Sequence, residues 1–246
     1  MFYSSFSRIR SLLLAFLIFL LPPLAVPSAN TELLARPSEA GSFEPPISGG
    51  KLMMVGLERF KNWSRVRAFL LDPRNGRQAG LRPWVAWART LRPLPVYDRL
   101  AAIDARVGAK IAYATDDVVW HRADYWENPL EVVRKGRTDC EGYVALKMFL
   151  AAVAGIDHER MAIVVGRVPD LGIFHAVLVV RVGAARYALD NLRPGLTEIG
   201  ERADFEPIYA VDMIHAWSFP SWERERLLGA IQQLQAMKPA EGQGMQ

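Results

Sequence analysis

The stretch Thr138-Asp139-Cys140-Glu141-Gly142-Tyr143-Val144-Ala145-Leu146-Lys147-Met148-Phe149-Leu150-Ala151-Ala152-Val153 decides how this chain is read. Val144, Leu146, then Met148, Phe149 and Leu150 one turn later, and finally Val153 supply the buried stripe of a core helix. Thr138 or Asp139 serves as its N-cap and Gly155 as its stop. Cys140 therefore stands in the first turn. There the unpaired backbone N–H groups and the positive end of the helix dipole favour thiolate, the nucleophilic form. It is the one cysteine of the chain. A thiol without a partner is ordinarily a small buried hydrophobe, so the case for chemistry rests on its surroundings.

A nucleophilic thiol needs a base, and the sequence holds four histidines, His121, His158, His175 and His215. His175 falls within Gly172-Ile173-Phe174-His175-Ala176-Val177-Leu178-Val179-Val180, an apolar, β-branched run that reads as a buried strand. Arg186-Tyr187-Ala188-Leu189-Asp190-Asn191 reads as the next strand, with Val182-Gly183-Ala184-Ala185 as the turn between them. With Val182-Gly183 at the tip Asp190 faces His175, and with Gly183-Ala184 it faces Val177. In both registers His175 and Asp190 share a face. Cys140 as nucleophile, His175 as base and Asp190 as the group that fixes the ring's tautomer make the set a thiol hydrolase requires. A core histidine satisfied by a nearby carboxylate is the plainer account of the pair alone. Three buried polar groups on successive elements are costly without a task.

Outward from this centre the chain is that of a globular protein, 51% hydrophobic and 23% charged. A net charge of +4 with no long basic run gives no electrostatic case for nucleic acid as the main partner, and none is expected. Residues 1–29 read as an export signal: a basic start at Ser7-Arg8-Ile9-Arg10, an apolar run from Leu12 to Leu21, Pro22-Pro23, then small residues at Ala25, Ser28 and Ala29. The apolar run is short for a membrane span of about 20 residues. An uncleaved anchor is the alternative, and either way the body is exported. Residues 30–50, with Pro37, Pro45, Pro46, Gly41, Gly49 and Gly50, read as a flexible leader, and 51–246 as one domain.

Within that domain, residues 57–71 and 83–92 read as helices, with Phe60, Trp63, Leu70, Trp84 and Trp87 as core. Trp120, Tyr125 and Trp126 either wall the cleft or belong to the core. Strands are expected at 161–168, 173–182 and 186–192, with another near 208–212. A terminal helix over 222–237 carries Leu227, Leu228, Ile231, Leu234 and Met237. No internal repeat, phosphate-binding glycine loop or zinc-type Cys/His cluster is present.

Cysteine on a helix start, histidine on a following strand and aspartate on the next is the order of the transglutaminase-like, papain-related superfamily. The implied fold is α+β, a papain-like/transglutaminase-like core with the nucleophile helix packed on a small antiparallel sheet. In finer detail, Ile111-Ala112-Tyr113, Asp117, Trp120, Asp124-Tyr125-Trp126-Glu127-Asn128-Pro129, Gly136, Asp139-Cys140-Glu141-Gly142-Tyr143 and Lys147 resemble the bacterial transglutaminase-like cysteine proteinases, periplasmic proteases of the LapG type. His175-Ala176-Val177-Leu178, Leu189-Asp190-Asn191-Leu192, Tyr209 and Trp217 continue the resemblance, which spans about residues 60 to 218.

The resemblance implies the triad Cys140, His175 and Asp190 and a periplasmic location. It further implies cleavage of a large surface adhesin near its N-terminus, which controls biofilm attachment, under an inner-membrane cyclic di-GMP receptor as inhibitor. It also implies calcium, held by carboxylates around the nucleophile in a D-C-E-D pattern. Here Asp139 and Glu141 match and Gly142 does not. Two carboxylates beside a thiolate raise its pKa, and a cation would cancel their charge. With one ligand missing, calcium is expected to bind weakly, to use Asp116, Asp117 or water, or to be absent. Asp139 and Glu141 are then only a cap and a first-turn acid. Two alternatives stand beside it: a transglutaminase or amidase acting on side-chain or cell-wall amides by the same acyl-thioester chemistry, and a catalytically silent binding module of the same fold, to which the altered Gly142 points.

Overall fold

The computed structural model describes residues 44–226. The expected signal, most of the leader, and the apolar positions of the terminal helix from Leu227 onward lie outside the described residues. In chain order the elements are β1 (Lys51–Leu52), α1 (Lys61–Leu71), α2 (Arg82–Thr90), α3 (Val96–Lys110), β2 (Ala112–Tyr113), α4 (Asp116–Trp120), α5 (Pro129–Lys135), β3 (Arg137–Thr138) and α6 (Cys140–Val153). They continue with β4 (Met161–Val168), β5 (Ile173–Val182), β6 (Ala185–Leu189), β7 (Leu196–Glu198), β8 (Glu206–Val211) and β9 (Ala216–Ser218), and a last helix begins at residue 220.

Helix α6 is apolar on nearly every side, and from Gly142 to Val153 all of its residues are buried, as a helix enclosed between layers must be. One side rests on the sheet, and α2, α3 and α5 pack around the others. The sheet runs β1-β9-β8-β4-β5-β6-β7, antiparallel throughout. Along β5 the side chains alternate with the period of two that a strand imposes. Ala176, Leu178 and Val180 join the large core that holds α6, while Val177 and Val179 join a smaller one with Val164, Ala210 and Trp217. Burial on both faces explains why the strand sequences are unbroken apolar runs. No helix of the described residues is long and apolar enough to cross a membrane.

Two local devices place Cys140 and the His175–Asp190 pair. The first is α5, which opens on a capping box: Asn128 Oδ1 accepts from the amides of Leu130 and Glu131, and Glu131 Oε2 accepts from the Asn128 amide. Gly136, at φ 66°, ends it in the left-handed conformation that suits glycine. Only β3 and Asp139 then separate this stop from Cys140, and β3 is pinned by parallel pairing with β2. The second is the β5–β6 hairpin, whose pairing runs from Val182 opposite Ala185 to Leu178 opposite Leu189. Its tip is Gly183-Ala184, the second of the two anticipated registers.

The expected helix at 57–71 is divided, with a 3₁₀ turn at Leu57–Arg59 and α1 starting after Phe60. Trp63 and Leu70 are core, and Phe60, Trp84 and Trp87 pack partly buried against it. The described end of the leader is docked: Ile47 packs on the smaller core, and Arg186 pairs with Glu44 at 3.0 Å.

Candidate active site

Cys140 is the first residue of α6 and 8% exposed. Its thiol donates to Glu141 Oε2 at 2.8 Å, and the backbone N–H of Ala176 on β5 bonds the sulfur from the sheet side. Ala176 is the neighbour of His175, so the expected nucleophile abuts the strand that carries the expected base. His175 and Asp190 are both buried, with His175 Nε2 2.6 Å from Asp190 Oδ1. An ionised carboxylate can only accept, so the ring proton belongs on Nε2 and Nδ1 is left as a base.

Asp190 is itself held from behind. Its Oδ1 also accepts the Leu192 amide at 2.8 Å, and its Oδ2 accepts Arg202 Nη1 at 3.0 Å. Arg202, a buried guanidinium, closes on Asp204 through Nε at 2.8 Å and Nη2 at 3.1 Å. Burial pushes the Asp190 carboxyl upward, but the bond and charge of His175, the Leu192 amide and Arg202 outweigh it and hold the group below the usual carboxylate range. Arg202 escaped the sequence reading because nothing marks it there: it reaches Asp190 across a loop and a strand.

The thiol behaves differently from what its place on the helix implies. Burial, then the Glu141 charge and hydrogen bond, then Asp139, push it well above the ordinary thiol range. The helix dipole is worth about 1 kcal/mol at such a position and is overruled by desolvation beside two acids.

Asp139 lies with Asp116 and Glu127 in a group whose ligand oxygens all fall within 4.8 Å of one another. Glu141, the other acid expected to hold a cation, is not in that group; it touches Asp139 and accepts from the thiol. Asp116, one of the alternatives anticipated, lies in the cluster and Asp117 does not, while Glu127 comes from the D-Y-W-E-N-P motif without having been read as a ligand. Burial, followed by the charges of Glu141 and Asp116, pushes Asp139 up to about 10. Asp116 and Glu127 are raised too, with burial the leading cause in each.

These residues fit a hard cation. One oxygen each of Asp116, Glu127 and Asp139, and the Thr138 hydroxyl, are buried with no hydrogen-bond partner among the described residues. Oxygen donors gathered in this way are what a calcium ion takes. The aromatic residues upstream serve the cluster: Trp120 Nε1 donates to Glu127 Oε1 at 2.6 Å, and the Tyr125 amide to Asp116 Oδ2 at 2.5 Å. Trp126 is core. Gly142 explains its own identity. A Cβ there would stand 1.8 Å from Thr138 Oγ1 and 2.9 Å from Glu127 Oε2, so a side chain at this position is excluded by the residues that complete the cluster.

The other histidines lie elsewhere. His121 caps α4 in the left-handed conformation. His158 and His215 line a cavity of about 420 Å³ between the β5–β6 hairpin and the 212–215 loop, where burial brings His158 down to about 4 and His215 pairs with Asp212.

A cysteine opening a central helix, next to a buried His–Asp pair on an antiparallel sheet, defines the architecture of the papain-related thiol hydrolases. Residues 92–206 match the model of the bacterial transglutaminase-like cysteine proteinases (BTLCP), a family of cysteine proteases. The fold is similar to that of LapG from Legionella pneumophila. The EGTA-treated form superposes with a TM-score of 0.52 at 20% identity, covering 65% of this chain and 86% of that one. The calcium-bound form gives 0.50 at 20% identity, covering 70% and 99%. At this identity the likeness concerns the fold. No match is found among curated proteins.

Proposed function

We propose that this protein is an exported, periplasmic cysteine endopeptidase whose catalytic residues are Cys140, His175 and Asp190. The observation that carries the assignment is the buried His175–Asp190 pair, with His175 on the strand against which the Cys140 sulfur rests and Asp190 just past the end of the next one. In the reaction His175 Nδ1 takes the thiol proton as Sγ attacks the carbonyl carbon, and returns it to the departing amine. Water, deprotonated by the same nitrogen, then hydrolyses the thioester and frees the cysteine. Asp190, braced by Arg202, keeps Nε2 protonated and stabilises the imidazolium. The thiol–Glu141 bond is the resting arrangement, and attack requires exchanging it for one to His175.

Calcium is the proposed cofactor, with Asp116, Glu127 and Asp139 as carboxylate ligands and the Thr138 hydroxyl beside them. When bound, the ion supplies positive charge that offsets the acids around the thiol. The unpartnered oxygens support this site, as does the calcium-bound form of the Legionella relative. The proposed substrate, by kinship, is a large surface adhesin cut near its N-terminus, so that cleavage controls biofilm attachment, with a cyclic di-GMP receptor of the inner membrane as inhibitor.

The test is incubation of the purified protein and its Cys140→Ala, His175→Ala and Asp190→Asn variants with the N-terminal region of an adhesin from the same cell, read by mass spectrometry. A new N-terminus is expected from the wild type, none from Cys140→Ala or His175→Ala, and a residue of activity from Asp190→Asn, which disturbs only the tautomer. Cleavage by Cys140→Ala would sink the assignment. Incorporation of a primary amine in place of hydrolysis would make the protein a transferase.

A further inference from the structure

Seven positions, close to two turns, separate Cys140 from Lys147, which places both on one face of α6 about 10 Å apart along its axis. Lys147 is 1% exposed, and its Nζ lies 2.7 Å from Asp104 Oδ1 on α3. The other oxygen of that carboxylate, Oδ2, accepts the amide of Gly195 at 2.8 Å. Gly195, at φ 97°, turns the loop that leads from Asp190 into β7. One buried carboxylate therefore joins the helix that carries the thiol to the loop that carries the aspartate. Tyr143, on the same face of α6, donates its hydroxyl to Ile111 O at the end of α3 and ties the two helices a second time.

Burying an ion pair in this way gains little stability, since apolar side chains of equal volume serve as well or better. What the pair supplies is direction. We propose that Asp104 and Lys147 are positioning residues for the reaction: the pair fixes the roll of α6 against the Asp190 loop and so sets the place of Cys140 Sγ relative to His175. This rests on the catalytic assignment of Cys140, His175 and Asp190. Side-chain atoms stand about 5–6 Å from a helix axis, so a roll of about 10° moves the sulfur by roughly 1 Å. A displacement of that size costs a reaction about 100-fold.

The test is the rate at which iodoacetamide alkylates Cys140 at neutral pH and fixed calcium. Loosening alone would expose the buried thiol and speed the reaction, whereas displacement from His175 slows it. The double variant Lys147→Met/Asp104→Leu replaces the pair by apolar volume. It is expected to unfold near the wild-type temperature and to be alkylated at least about tenfold more slowly. If it fails to fold, Asp104→Asn carries the test. That variant keeps the Gly195 bond, loses only the charge opposite Lys147, and is expected to slow alkylation severalfold. An unchanged or faster rate in either folded variant overturns the proposal. His175→Ala separates the two levels: its alkylation at the wild-type rate would remove the catalytic assignment and the positioning role with it, whereas a slow His175→Ala beside a fast double variant removes the positioning role alone.

Discussion

Arg202 is the residue on which the His175–Asp190 pair leans. Its guanidinium bridges two carboxylates inside the protein, and both Asp190 and Asp204 sit below the usual carboxylate range. A carboxyl held low in the folded state lends stability that is complete above its unfolded pKa of about 4 and disappears as pH falls through the folded value. Arg202→Met should therefore cost about 3–5 kcal/mol at neutral pH, because it strands buried charge. The gap from wild type should close as pH falls below about 4. Urea unfolding across that range checks it, and a parallel gap at all pH values would exclude the ionic account. The same variant should lose activity in kcat with KM held. At this scale the sequence is informative where parity decides: residues 175 and 190 share a face in either register of an even turn. It is silent on Arg202 and Asp104, whose partners are brought near by tertiary packing.

The elements repeat that contrast. Helix α6 and strands β4 and β5 are legible because they are long apolar runs buried on both faces, and the short, half-buried β6 because a glycine turn sets it off from β5. Helix α3 was not foreseen, nor was α5, although Asn128-Pro129-Leu130-Glu131 and Gly136 carry a capping box and a glycine stop. Strands β1, β7 and β9 have two or three residues each, too few for a period to register. The turn from β3 into α6 yields a prediction opposite to the one its motif suggests. Restoring the family's acid by Gly142→Asp would set a side chain into Thr138 and Glu127, and overpacking of that kind costs about 1–3 kcal/mol. Calorimetry should show a lower melting temperature and no gain in calcium affinity; tighter binding with unchanged stability would refute the reading of Gly142.

Across the whole molecule, the acids near Cys140 oppose folding at neutral pH. Asp116, Asp124, Glu127 and Asp139 all stand above their ordinary range, burial being the first cause in each. For a carboxyl raised by folding the sign is the reverse of that at Arg202: the unfolded chain ionises first, and stability falls as pH climbs from about 4 toward the folded value. Without calcium the protein should accordingly melt lower at pH 8 than at pH 5. Added calcium should raise the melting temperature more at pH 8, and titration in buffers of different ionisation enthalpy should reveal proton release on binding. A calcium effect independent of pH would place the ion away from Asp139.

The bond between the Cys140 thiol and Glu141 has a consequence for oxidative damage. In an oxidising compartment a lone sulfur has no resolving partner in its own chain, so a sulfenic acid formed there proceeds to the irreversible sulfinic and sulfonic acids. Peroxide attacks the thiolate, and a buried sulfur kept protonated by the neighbouring carboxylate presents very little of it. The resting protein should thus tolerate hydrogen peroxide, and calcium, by drawing charge away from the thiol, should make Cys140 oxidise faster. Intact-mass measurement of peroxide-treated samples with calcium and with chelator checks this, and equal oxidation in the two would show that the acid gives the nucleophile no shelter.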